Sequence, residues 1–138
     1  VYDYAPPKAG AEAPKGTVLV VDDDPLSRRI ATEMLAKLGY NSEAAVDGEE
    51  ALDALGKCEY AAVLMDCFMP KIDGFTATAK LRVLEGSARH TPVIAMTVSG
   101  SSETAHRCAR VGVDSFLTKP FSVGDLEEHL DHWTHRAA

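Results

Sequence analysis

From residue 17 onward, short aliphatic runs alternate with stretches whose apolar residues recur at helical spacing. TVLVV (17–21) is β-branched and almost wholly apolar, as expected of a strand buried on both faces. In PLSRRIATEMLAKLG (25–39), Leu26, Ile30, Met34 and Leu38 recur every four residues, which predicts one apolar helical face. Asp24 suits the N-cap, Pro25 the first helical position and Gly39 the stop. YNSEAAV (40–46) predicts a weak strand, and GEEALDALGKC (48–58) a short helix with Ala51, Leu52 and Leu55 inward. AAVLMD (61–66) is a second buried strand. After a loop with Pro70 and Gly74, FTATAKLRVLEG (75–86) predicts a helix ended by Gly86. PVIAMT (92–97) is a strand, with Pro92 at a tolerated first position. SSETAHRCARVG (101–112) is a polar helix closed by Gly112, and VDSFLTK (113–119) the last strand. SVGDLEEHLDHW (122–133) opens on the capping pair Ser122 and Asp125 and places Leu126, Leu130 and Trp133 on one face.

Five strand–helix units in strict alternation imply an α/β fold, a parallel sheet with helices on both faces, because parallel strands need right-handed crossovers. The chain's 138 residues suffice for one such domain, with 46% hydrophobic and 25% charged residues. A net charge of -7 argues against a phosphate-backbone partner and against an anionic membrane surface. No apolar stretch approaches the roughly 20 residues of a bilayer span, and no secretory leader is read at the start. Cys58, Cys67 and Cys108 fit neither a disulfide framework nor a CxxC pair, and they suit a reducing compartment. VYDYAPPKAGAEAPKG (1–16) reads as a flexible linker, 17–136 as the domain and 137–138 as a tail. A linker with no initiator Met is expected of a piece of a longer polypeptide, with processing of a short free protein as the alternative.

In doubly wound sheets the site lies beyond the carboxyl ends of the strands. The first strand ends in Asp22 and Asp23, the third in Asp66, the fourth in Thr97 and the fifth in Lys119, followed by Pro120. Three carboxylates in one crevice need a counter-cation. Lys119 supplies one charge, and an all-oxygen donor set without His or Cys points to a hard divalent ion, Mg²⁺ first. A hydroxyl, an ammonium and such an ion together complement a phosphoryl group.

VLVVDDDP, VLMDCFMPKIDG, AMT and SFLTKP, in that order, resemble the receiver domain of two-component response regulators, most closely the receiver of hybrid sensor histidine kinases. The resemblance covers about residues 17–135. It implies the flavodoxin-like (βα)5 fold, with strand order 2-1-3-4-5. It implies Asp66 as phosphoacceptor, taking the phosphoryl group of a phosphohistidine. It implies a Mg²⁺ site (Mn²⁺ as substitute) from Asp22, Asp23, Asp66 and the Phe68 backbone carbonyl, with Asp23 the more direct ligand and Asp22 acting partly through water. Thr97 and Lys119 would contact the phosphoryl oxygens, Thr97 and Phe116 would form the switch, and Pro120 would be cis.

The implied partners are a histidine kinase phosphodonor domain and a histidine phosphotransfer domain. Nucleic acid and direct membrane contact are not expected. The chain would be a monomer, or a weak dimer through the face of strand four, helix four and strand five. The implied location is cytoplasmic, including the case of a parent anchored in the inner membrane. Such a domain catalyses its own phosphorylation and dephosphorylation without being an independent turnover enzyme, although its parent chain can be a histidine kinase. The alternatives are a stand-alone or truncated response regulator, a receiver acting only as a binding module, and a Mg²⁺-dependent aspartyl phosphohydrolase. The last usually has a second acid two residues past the nucleophile, where this chain has Phe68.

Phe68, Val98 and Asp24 depart from the family's common pattern. Phe68 and Val98 are expected to slow hydrolysis of the aspartyl phosphate. Asp24 reads mainly as a cap, Asp73 as turn and cap chemistry before Gly74, and Cys67 as a buried spectator. His129, His132 and His135 read as a solvated helix face, and His106 has no phosphotransfer surroundings.

Overall fold

In β1 (Thr17–Val21), successive side chains enter two different cores. Val18 and Val20 pack into one layer and Leu19 and Val21 into the other, and none is more than 1% exposed. A strand covered on both faces has no place for polar alternation, which is why this run reads as continuous hydrophobe. The computed structural model of the chain describes residues 15–98 and 100–134. Most of the expected linker and all of the tail therefore lie outside the described residues, as does His135. Lys15 and Gly16 already bond to the fold: Lys15 N–H donates to Gly39 O, and Gly16 O accepts from Asn41 N–H, both at 2.9 Å.

The remaining elements are α1 (Pro25–Lys37), β2 (Asn41–Ala45), α2 (Gly48–Lys57), β3 (Ala62–Asp66), α3 (Gly74–Glu85), β4 (Val93–Thr97), α4 (Ser102–Val111), β5 (Ser115–Thr118) and α5 (Val123–Thr134). All pairings are parallel and the order is β2-β1-β3-β4-β5, the expected flavodoxin-like arrangement. Ala31, Leu35, Leu126 and Leu130 bring α1 and α5 onto one face. Ala51, Leu55, Ala77 and Leu81 bring α2 and α3 onto the other. A third cluster of Cys67, Phe75, Ala95 and Cys108 seats α4. The buried leucines and Phe75 contribute about 1.5–3 kcal/mol each, so the sheet ends are held by a rigid support.

Each helix starts where a side chain replaces a missing acceptor. Asp24, Asp47, Asp73 and Ser101 are the N-caps of α1 to α4 and accept from the backbone three residues on. Ser122 and Asp125 form the expected reciprocal pair at α5, both bonds at 3.0 Å. Gly112 closes α4 at φ 96°, a left-handed conformation that glycine adopts without strain.

Two expectations need correction. The four-residue stripe on α1 is not its buried face: Leu26 is 64% and Ile30 44% exposed, while Ala31 and Leu35 are buried. A spacing of four overshoots the helical turn by about 40° per step, so the stripe winds off the core and only Met34 and Leu38 reach it. The last strand covers 115–118 rather than 113–119. Val113 N–H bonds back to Cys108 O at the end of α4, and the Lys119–Pro120 peptide is cis.

Candidate functional site

β1 and β3 pair with Val21 beside Met65, which brings Asp22 and Asp23 next to Asp66. One carboxylate oxygen from each of the three lies within 4.8 Å of the others. β3 and β4 pair with Asp66 beside Met96, so Thr97 sits one residue beyond the level of Asp66 on the neighbouring strand. Thr97 is buried, and its carbonyl accepts from Lys119 N–H at 2.7 Å, which fixes where the lysine leaves β5. Lys119 Nζ then reaches Asp22 Oδ2 at 2.8 Å and Asp66 Oδ2 at 3.8 Å. The strand-end residues read from the sequence are thus gathered at one end of the sheet.

The three consecutive acids do different work. Asp22 is 1% exposed, and both its oxygens are engaged: Oδ2 by Lys119 and Oδ1 by Asp24 N–H at 2.9 Å. Asp23 is exposed at the pocket mouth. Asp24 bonds Ser27 N–H and Oγ–H, at 3.2 and 2.8 Å, and Ser27 holds its carboxyl below the usual range. It is a cap.

Asp66 is pushed up to about 6, first by burial and further by Asp22 and Asp23, against the pull of Lys119 and the Phe68 N–H. Burial works against the charge of Lys119, but the Asp22 hydrogen bond and the charges of Asp66 and Asp22 outweigh it and raise its pKa. Three carboxylates share one ammonium, and the surplus negative charge is what a cation would neutralise. The donor set is all oxygen and suits a hard ion such as Mg²⁺.

Three supporting residues carry little signal in the sequence alone. Gly74 sits so close to the end of β3 that a Cβ there would lie 2.2 Å from Asp66 O, so only glycine fits. Its N–H donates to Cys67 O at 3.0 Å. Arg28, on the first turns of α1, donates from Nη1 to Asp22 O at 2.8 Å and ties the helix to the acidic loop. Arg107, on α4, stacks over the Phe75 ring at 4.0 Å and pairs with Asp73 at 3.6 Å. The DG pair at 73–74 was legible as a turn, but the close approach that demands glycine was not.

Phe68 is 54% exposed, with its N–H donating to Asp66 Oδ1 at 3.3 Å. Phe116 is half-buried against the α4 cluster. Cys67 is buried and burial pushes its thiol up to about 12, which makes it a poor nucleophile. His129 is half-buried and shares a 3.0 Å hydrogen bond with Ser115 Oγ, so it departs from a purely solvated face, whereas His132 is exposed. Beside the acidic pocket runs a groove of about 320 Å³ lined by Ile30, Met34, Val98 and Phe121, with Asp22 and Lys119 at its rim. Of the exposed half of the α1 stripe, Ile30 lines this groove. No helix among the described residues is long and apolar enough to cross a membrane.

A doubly wound parallel sheet with an acidic, lysine-bearing pocket at its switch point places the chain among the flavodoxin-like α/β domains. The family model of the response regulator receiver domain matches residues 18–131, and the chain belongs to that family. It is 37% identical over 120 residues to the hybrid signal transduction protein dokA of Dictyostelium discoideum, covering 87% of this chain and 7% of that protein. It is 37% identical over 119 residues to the sensor histidine kinase RcsC of Escherichia coli, covering 86% of this chain and 12% of that protein. The chain therefore spans only a small part of these relatives. Among solved structures it resembles the receiver domain of sensor histidine kinase PA1611 from Pseudomonas aeruginosa, with 32% identity and TM-score 0.80 over 87% of this chain and 98% of that one. That structure is described with a magnesium ion coordinated in its active site cleft. The chemotaxis protein CheY4 of Vibrio cholerae is also similar, at 31% identity and TM-score 0.79, over 89% of this chain and 99% of that one.

Proposed function

We propose that this receiver domain accepts a phosphoryl group from a phosphohistidine onto Asp66, and that it does so inside, or in relay with, a hybrid sensor histidine kinase. The observation that carries the reading is the meeting of Asp22, Asp23, Asp66 and Lys119 in one pocket at the strand ends. An Asp66 oxygen attacks phosphorus in line with the departing imidazole nitrogen; the P–N bond breaks, a P–O bond forms, and the ring, already protonated on its other nitrogen, leaves as neutral imidazole. The Asp22 bond holds Lys119 within 4 Å of Asp66, so a short swing takes its ammonium to a phosphoryl oxygen. The Phe68 N–H is a second donor aimed at the same carboxylate, and the Thr97 hydroxyl would supply a third.

Asp23, Asp66 and the Phe68 carbonyl would hold Mg²⁺ directly, with Asp22 behind them because both its oxygens are already bonded. When bound, the ion supplies positive charge that offsets repulsion between the carboxylates and the phosphoryl oxygens. Mn²⁺ is the expected substitute.

The apolar groove next to the pocket fits the helix of a phosphodonor or histidine phosphotransfer domain, with Ile30, Val98 and Phe121 meeting its apolar side chains. Movement of Thr97 and Phe116 would then alter the β4–α4–β5 face, the expected output or weak dimer surface. A cytoplasmic location belongs to the same reading. Incubation with acetyl phosphate and Mg²⁺ tests it: stoichiometric label on Asp66 supports the switch, rapid turnover of small phosphate esters supports a hydrolase, and no label supports a binding module.

A further inference from the structure

Three contacts form a continuous chain from helix α4 to the carboxylate of Asp66, and a fourth anchors its first member. The Arg107 guanidinium stacks over the Phe75 ring, its Cζ 4.0 Å from the ring centroid. Its Nη2 also pairs with Asp73, the N-cap of α3, at 3.6 Å. Phe75 is buried, and its ring meets Phe68 edge to face, with centroids 5.6 Å apart and planes at 73°. Phe68 is largely exposed, yet its N–H donates to Asp66 Oδ1. An exposed aromatic at a pocket mouth holds one position only if something braces it. Here the brace is Phe75, and Arg107 covers Phe75 from the α4 side.

We infer that Arg107 is a positioning residue for the phosphorylated state, acting through Phe75 on Phe68 to limit the access of water to Asp66. The inference rests on the proposed phosphorylation of Asp66. It couples α4 to the phosphoacceptor loop by a route that involves neither Thr97 nor Phe116. Hydrolysis of the aspartyl phosphate needs water in line with the P–O bond that breaks. A braced Phe68 ring restricts that approach, and a released one admits it. The planar guanidinium matters because it lies flat on a ring while still bonding a carboxylate; a lysine ammonium keeps the charge but loses the stack.

The test is a double-mutant cycle on the full chain, reading the half-life of label on Asp66 after removal of acetyl phosphate at fixed Mg²⁺. Arg107→Ala and Phe68→Ala should each shorten the half-life, the former by about two- to fivefold. Arg107→Ala should add nothing in the Phe68→Ala background. Arg107→Lys should behave as Arg107→Ala, and melting temperatures of all variants should confirm that they are folded. Equal shortening by Arg107→Ala in both backgrounds overturns the relay, as does an unchanged half-life. Full rescue by Arg107→Lys also overturns it, because the Asp73 pair alone would then suffice. Absence of label on the unmodified chain overturns the phosphoacceptor reading itself and is seen before any variant is made.

Discussion

The two ends of the sheet each carry a cluster of partly buried charge, and the two clusters are built on opposite principles. At the amino end, Arg82 donates to Glu85, Thr91 O, Gly112 O and Asp114, and Arg89 and His90 close the network. Two arginines face two carboxylates, and most donors have a partner. Burial acts to raise Glu85, but the bonds from Thr91 and Arg82 outweigh it and hold the carboxyl below its ordinary range. At the carboxyl end, three carboxylates face one lysine, and Asp66 is pushed up rather than down. A balanced cluster ties α3, β4 and the α4–β5 turn together. An unbalanced one is left with surplus negative charge, the condition that the proposed cation would relieve. Burial raises both carboxyls, and the two differ in whether hydrogen bonds and opposite charge outweigh it.

The sharpest way to break this comparison is to replace Asp66, the proposed phosphoacceptor. Asp66→Asn is expected to abolish phosphoryl label while the fold persists; residual label at full stoichiometry, mapped by mass spectrometry to another acid, would sink the assignment. At the other end, Arg82→Met should cost about 3–5 kcal/mol in urea unfolding, because it leaves Glu85 and Asp114 buried without their partner. A loss under 1 kcal/mol would show that the network is ornamental.

The two clusters should also respond to pH with opposite sign. Folded Asp66 binds its proton more tightly than unfolded Asp, so stability falls as pH rises from about 4 through about 6. With chelator present, Asp66→Asn should therefore gain on the order of 3 kcal/mol at pH 7, and the gain should vanish near pH 4. Glu85 works the other way. Its contribution is present above the ordinary glutamate range and is lost as pH falls through its depressed folded value. A flat difference curve between wild type and Asp66→Asn would contradict the charge imbalance.

Smaller effects sharpen the division of roles within the acidic run. Asp23→Asn should weaken Mg²⁺ binding by about tenfold or more, measured by calorimetry, whereas Asp24→Asn should lower stability by about 1 kcal/mol or less and leave Mg²⁺ binding nearly unchanged. Equal losses would show that the cap and the ligand are not separate. Smallest of all, Phe68→Gln and Val98→Ala should each shorten the aspartyl-phosphate half-life by a few-fold. Unchanged decay would remove the idea that these apolar side chains restrict water.

The sequence alone carried the alternation of strands and helices, and with it the parallel sheet, because strands buried on both faces read as short continuous aliphatic runs and helices as spaced ones. It also located Asp22, Asp23, Asp66, Thr97 and Lys119, since parallel strands bring their carboxyl ends to one edge whatever the side-chain details. The caps at Asp24, Asp73 and Ser122 were legible because they depend on a few adjacent residues. The inward face of α1 was not, because a four-residue stripe drifts around the helix and the close approach of Ala31 belongs to packing.

Tertiary structure alone decided the rest. It engaged both Asp22 oxygens and so passed the outer position to Asp23. It required glycine at position 74 through a contact with Asp66 O, and it gathered Arg82, Glu85, His90 and Asp114 from separate segments into one balanced network. It also stacked Arg107 on Phe75 beside Phe68. Each of these depends on distances between residues remote in the chain or on the space left between elements, and local sequence pattern encodes neither.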